Sequence, residues 1–93
     1  MATKRILLTE DDFDIAEMLT TFFKVEGYEV MHAPTGKRAI KMAQLWSPTV
    51  ILLDIMLPDM TGFEVLEQIK QIDTMKDVPV VFLSQKNDRD TRV

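Results

Sequence analysis

The sequence predicts an α/β domain with a doubly wound parallel sheet, on two observations. Short runs of strand length alternate along the chain with longer segments whose apolar residues recur at helical spacing. Within the runs the apolar residues are consecutive, as in strands covered on both faces of a parallel sheet. The 93 residues leave room for one core, since folding at that length hides only about 60–65% of the open chain's surface. Residues 1–93 are therefore read as a single domain, without repeat, linker or low-complexity tract.

The first strand is the run Ile6-Leu7-Leu8. Ile15, Met18, Leu19, Phe22, Phe23 and Val25 follow at helical spacing, and Gly27 stands where a helix C-terminus favours glycine. Tyr28 to Ala33 reads as the second strand. After a break at Pro34-Thr35-Gly36, Ala39, Ile40, Ala43 and Leu45 mark a second amphipathic helix, ended by Ser47-Pro48. Thr49-Val50-Ile51-Leu52-Leu53 is the clearest buried strand; it runs straight into Asp54 and then into a loop, Ile55 to Met60. A third helix starts near Thr61, because Thr61 and Glu64 have the spacing of a capping box. Its expected apolar face is Phe63, Val65, Leu66 and Ile69. Val78 to Leu83 is the fourth strand, and Asp88 to Val93 reads as the first turn of another helix.

Composition narrows the function. The chain is 46% hydrophobic and 28% charged, an ordinary globular balance. Its 11 basic and 15 acidic residues give a net charge of −4, and the basic residues are dispersed, so no direct nucleic-acid surface is expected. There is no cysteine, hence no disulfide and no thiolate metal site. Met1 to Arg5 is basic, but the apolar run behind it is too short for a signal peptide or a membrane span, and a cytoplasmic location is the default expectation.

In open α/β sheets, sites form in the crevice at the carboxyl ends of the strands. The first strand ends in Glu10, Asp11 and Asp12, the third in Asp54 and the fourth in Ser84. If those strands are neighbours, the side chains converge at one rim. Carboxylates at close range disfavour one another's ionisation, and a divalent cation offsets the repulsion; oxygen ligands with open water positions suit Mg²⁺. A carboxylate beside such a metal can act as a nucleophile toward phosphorus, with the metal and a hydroxyl such as that of Ser84 binding the phosphoryl oxygens. The plainer reading of a strand-end acid is the N-cap of the next helix. It suits Asp12 best and Asp54 least, because the loop after Asp54 has its own cap in Thr61.

Ile6 to Asp12, followed by Ile51-Leu52-Leu53-Asp54-Ile55-Met56-Leu57-Pro58-Asp59-Met60-Thr61-Gly62-Phe63-Glu64, resembles the signature of the response-regulator receiver domains of two-component systems. The resemblance covers essentially the whole chain and implies a flavodoxin-like fold. It implies that Asp54 takes a phosphoryl group from the phosphohistidine of a sensor histidine kinase. Asp11 would bind Mg²⁺ directly, Glu10 mostly through water, and the backbone carbonyl of Met56 would be a further ligand. Ser84 would be the switch hydroxyl, and the kinase would meet the first helix, roughly Phe13 to Glu26. An output domain, often DNA-binding in this family, would lie beyond the chain. The family's fifth strand, with its lysine and aromatic, and its last helix are not in the sequence, which therefore reads as C-terminally truncated with strand order 2-1-3-4. Residues 78–83 would then form an apolar sheet edge, inviting self-association. Gln85 departs from the small residue usual after the switch hydroxyl.

Two other classes compete. An aspartyl-nucleophile phosphohydrolase wants a second Asp two residues after the nucleophile, where Met56 stands. A receiver-like interaction module that never carries phosphate would not need the acidic pair and Asp54. His32, the one histidine, is placed on the second strand away from the acidic rim, and a lone histidine is weak support for a ligand role. The seven methionines are scattered and read as core filling. Trp46 is expected to pack the end of the second helix, and Lys86 reads as a solvated loop lysine.

Overall fold

The computed structural model describes residues 4–83; Ser84, Gln85, Lys86 and the expected helical turn from Asp88 lie outside the described residues. The elements are β1 (Arg5–Thr9), α1 (Phe13–Val25), β2 (Glu29–Ala33), α2 (Gly36–Trp46), β3 (Val50–Asp54), α3 (Gly62–Lys70) and β4 (Val80–Leu83), with a 3₁₀ turn at Asp73–Met75 before β4. The strands form one sheet in the order β2-β1-β3-β4, every pair parallel, as expected.

The consecutive apolar runs are explained by the alternation of side chains across the sheet. Leu7, Ile51 and Leu53 enter a core under α2 and α3 with Ala39, Ala43, Val65 and Ile69. Ile6, Leu8 and Leu52 face the other way, with Ala16 of α1. Asp12 caps α1, accepting from the N–H groups of Asp14 and Ile15 at 2.9 and 3.1 Å, so its N-cap reading holds. Gly27 ends the helix with φ 99°, a region costly for other residues. The capping box of α3 is present in both directions, Glu64 N–H to Thr61 Oγ1 and Thr61 N–H to Glu64 Oε1.

Five helical residues placed on apolar faces turn outward. Leu45 and Val25 are 77% and 79% exposed, Met18 63%, Phe63 58% and Phe22 57%. All but Phe22 stand two residues from a covered position on their helix (Ala43, Phe23, Ala16 and Val65), a rotation of about 200° at 100° per residue. Phe63 still leans on the Phe82 ring, with centroids 5.0 Å apart. β4 begins at Val80 rather than Val78: Pro79 has no N–H to give a ladder, and its carbonyl accepts from Ile51 N–H at 3.0 Å. Trp46 packs the end of α2, as expected. Arg5 lies over its ring at 5.4 Å and donates to its carbonyl at 2.6 Å, which puts the indole at the amino ends of the strands.

No helix among the described residues is long and apolar enough to cross a membrane. Thr9 is fully buried at the end of β1, and its hydroxyl has no hydrogen-bond partner among the described residues. A desolvated, unpaired hydroxyl costs about 1–3 kcal/mol. Thr9→Val keeps the β-branched shape without that cost and is expected to stabilise the fold by about 1 kcal/mol, raising the melting temperature by about 4–8 °C in a thermal scan.

Candidate functional site

Parallel pairing of β1 with β3 brings their carboxyl ends side by side, Thr9 opposite Leu53. The chain leaves β1 for β2 on one side and reaches β3 on the other, so the crevice opens between β1 and β3. Three of the expected side chains meet there. Carboxylate oxygens of Glu10, Asp11 and Asp54 lie within 4.8 Å of one another. Glu10 and Asp54 are each 1% exposed, whereas Asp11 faces solvent.

Each buried acid is held by backbone. Glu10 N–H donates to Ala33 O at 3.1 Å, and its Oε2 accepts from Asp12 N–H at 3.1 Å. Asp54 is the last residue of β3, and its Oδ1 accepts from Met56 N–H at 3.2 Å. The loop beyond it closes on itself: Gly62 N–H reaches Ile55 O at 2.6 Å, Leu57 N–H reaches Met60 O at 3.2 Å, and Met56 pairs with Thr61 in an antiparallel bridge. A Cβ on Gly62 would overlap the Asp54 carbonyl, so only glycine lets the α3 start lie so close beneath the acid.

The electrostatics follow from the crowding. Burial pushes the Glu10 carboxyl up from 4.5 to about 7; the Asp12 N–H works against this, while the Asp54 and Asp11 charges add to it. Burial likewise raises Asp54 above its ordinary 3.8, against the Met56 N–H and Glu10, with the Asp11 charge adding to the rise. Two desolvated acids beside a third make a pocket whose repulsion a hard divalent cation would relieve, and an all-oxygen donor set suits Mg²⁺. The residues present fit such an ion.

His32 does not lie away from this rim, contrary to expectation. Its Nε2 is 2.6 Å from the carbonyl oxygen of Glu10, and Phe13 sets its ring edge against the imidazole, centroids 5.3 Å apart. Only an N–H can meet a carbonyl, so Nε2 carries the proton. Parallel register places residue 32 opposite Leu8, within reach of the turn that follows β1, and no motif in the sequence signals that contact. Asp59 was also missed: Oδ1 and Oδ2 accept from the N–H groups of Gly36 and Lys37 at 2.8 and 3.0 Å. Its desolvation opposes ionisation, but those two N–H groups outweigh it and hold the carboxyl below its ordinary 3.8.

Fold and site define a doubly wound α/β domain with an acidic pocket at the sheet's carboxyl ends. The chain belongs to the response regulator receiver domain family, whose model matches residues 6–93. It is 31% identical over 93 residues to the phosphate regulon transcriptional regulatory protein PhoB of Pseudomonas aeruginosa, covering 100% of this chain and 41% of that protein. The chain thus spans about two fifths of that relative's length. Among solved structures, the Vibrio cholerae chemotaxis protein CheY4 matches with a TM-score of 0.85 and 27% identity, over 96% of this chain and 77% of that one. The receiver domain of the sensor histidine kinase PA1611 from P. aeruginosa matches with a TM-score of 0.86 and 25% identity, over 98% and 75%. That structure holds a magnesium ion coordinated in its active-site cleft.

Proposed function

We propose that this receiver accepts a phosphoryl group on Asp54 from the phosphohistidine of a sensor histidine kinase, in a reaction that requires Mg²⁺. One observation carries the reading: Asp54 is buried at the carboxyl end of β3 with the oxygens of Glu10 and Asp11 within 4.8 Å. Met56 N–H engages Oδ1, which favours Oδ2 as the attacking atom. As the Oδ2–P bond forms, the P–N bond of the phosphohistidine breaks, and the imidazole leaves with the electron pair and takes up a proton. Glu10, Asp11, Asp54 and the Met56 carbonyl would hold the metal, as the PA1611 receiver's magnesium supports. When bound, Mg²⁺ supplies positive charge against the phosphoryl oxygens and the crowded carboxylates.

On this reading the domain is no turnover enzyme; it catalyses its own phosphorylation and dephosphorylation. Ser84, outside the described residues, is the proposed switch hydroxyl. PhoB is a transcriptional regulator, which supports a cytoplasmic protein whose output domain binds DNA. The test is incubation of the chain with acetyl phosphate, with and without Mg²⁺, read by intact mass. One phosphoryl group per chain, gained only with the metal, is expected; no gain overturns the reading.

Self-association belongs to the same proposal. β4 closes the described sheet at one side, and Val81 on it is 50% exposed. An apolar strand edge favours pairing with a second copy. Light scattering across a concentration series is expected to show a mass rising above the monomer, and a constant monomer mass would contradict it.

A further inference from the structure

The Asp59 carboxylate has no part in the acidic pocket, yet it makes the most specific contact of the loop that follows Asp54. It reaches across more than twenty residues of sequence to the first turn of α2, where its two oxygens take the N–H groups of Gly36 and Lys37. Thr35, the helix's own N-cap, takes only the next one, Arg38 N–H, at 3.2 Å. The free donors of this helix start are therefore divided between two segments, and the loop holds the larger share. The fit is close on the apolar side as well. A Cβ on Gly36 would overlap the Met60 side chain and Val65, so α2 begins with a residue small enough to let the loop lie against it.

We infer that Asp59 is a positioning residue for phosphoryl acceptance: seated on the start of α2, it fixes the loop whose backbone at Met56 serves Asp54 and the metal. The inference rests on the function proposed above. The loop is tied at its base by the Gly62–Ile55 hydrogen bond and the Met56–Thr61 bridge. Its tip is held by Asp59 alone among the side-chain hydrogen bonds of the described residues. Leu57 N–H to Met60 O makes base and tip one closed unit, so a shift at Asp59 is passed back to Met56. A backbone carbonyl serving as a metal ligand has to be held to within roughly 0.5 Å, and such outlying supports commonly change metal affinity by about 10–100-fold.

The experiment compares wild type, Asp59→Ala, Asp59→Asn and Thr35→Ala in the whole chain. Mg²⁺ affinity is read by amide NMR titration, labelling by acetyl phosphate from intact mass, and folding from thermal scans. Asp59→Ala is expected to weaken Mg²⁺ binding about tenfold, to slow labelling at limiting Mg²⁺, and to recover when the metal saturates. Asp59→Asn keeps one acceptor on the same helix start and falls between. Thr35→Ala removes the other cap without touching the loop; it lowers the melting temperature by about 4–8 °C and leaves Mg²⁺ affinity within about twofold of wild type. Equal losses of affinity in Thr35→Ala and Asp59→Ala, or unchanged affinity in both Asp59 variants, overturn the inference alone. Wild-type protein that takes neither Mg²⁺ nor a phosphoryl group overturns the proposed function, and this inference with it.

Discussion

Asp54→Asn is expected to take no phosphoryl group from acetyl phosphate and, without metal, to melt higher than the wild type. Both effects come from the same atoms. The amide cannot attack phosphorus, so labelling falls by at least about 10²-fold, the scale of losing an essential nucleophile. Its oxygen still accepts from Met56 N–H, so the loop keeps its anchor. What disappears is a charge that burial and the Asp11 carboxylate both oppose, which holds the Asp54 carboxyl above its ordinary range. Removing such a charge is expected to stabilise the metal-free fold, each kcal/mol gained raising the melting temperature by about 4–8 °C in a domain of this size. Labelling of Asp54→Asn at the wild-type rate would contradict the assignment. A lower melting temperature would contradict the crowding of the pocket.

The second large effect is on pH. Glu10 titrates near 7 in the fold against 4.5 without it, and Asp54 is raised in the same direction. A carboxyl with a raised folded pKa holds its proton in the native state after the unfolded chain has lost it, so stability falls as pH rises through that window. Below 4.5 both states are protonated and the penalty is absent; above about 7 it is complete. Asp59 runs the other way, its lowered pKa adding stability that is lost only as pH falls below the ordinary carboxylate range. The metal-free protein is therefore expected to melt about 5–10 °C higher at pH 5 than at pH 8. Mg²⁺ needs the deprotonated acids, so its stabilisation is expected to be larger at pH 8. Thermal scans at both pH values, with and without Mg²⁺, test this. A metal-free melting temperature that rises with pH would refute it.

How far the sequence carried the structure depends on what each feature obeys. Strand identity was legible because consecutive apolar residues such as Ile51-Leu52-Leu53 must be covered on both sides. Strand order 2-1-3-4 was not carried by the pattern; it came from resemblance to receivers, and the pairing confirms it. Glu10, Asp11 and Asp54 were legible as a candidate cluster because three acids at strand ends are hard to explain by capping; the fold brings their carboxylates together, and of the strand-end acids Asp12 is the one that caps a helix. Exposure was harder to read. Periodicity placed Leu45, Val25 and Phe63 on helix faces, but two residues along a helix turn a side chain away from its neighbour's face. His32 and Asp59 were missed because each acts on a backbone group far away in sequence, and a carbonyl or an N–H carries no mark of its partner.

The proposed end point of phosphoryl transfer is Asp54, in a metal-dependent carboxylate pocket. It is tested most directly by trapping. The chain is labelled with acetyl phosphate in Mg²⁺, reduced with borohydride, which converts an aspartyl phosphate to homoserine, and mapped by peptide mass spectrometry. The structure predicts conversion at residue 54 alone, and none when Mg²⁺ is withheld. Conversion at Asp11 or Asp12, or equal conversion without the metal, would contradict it.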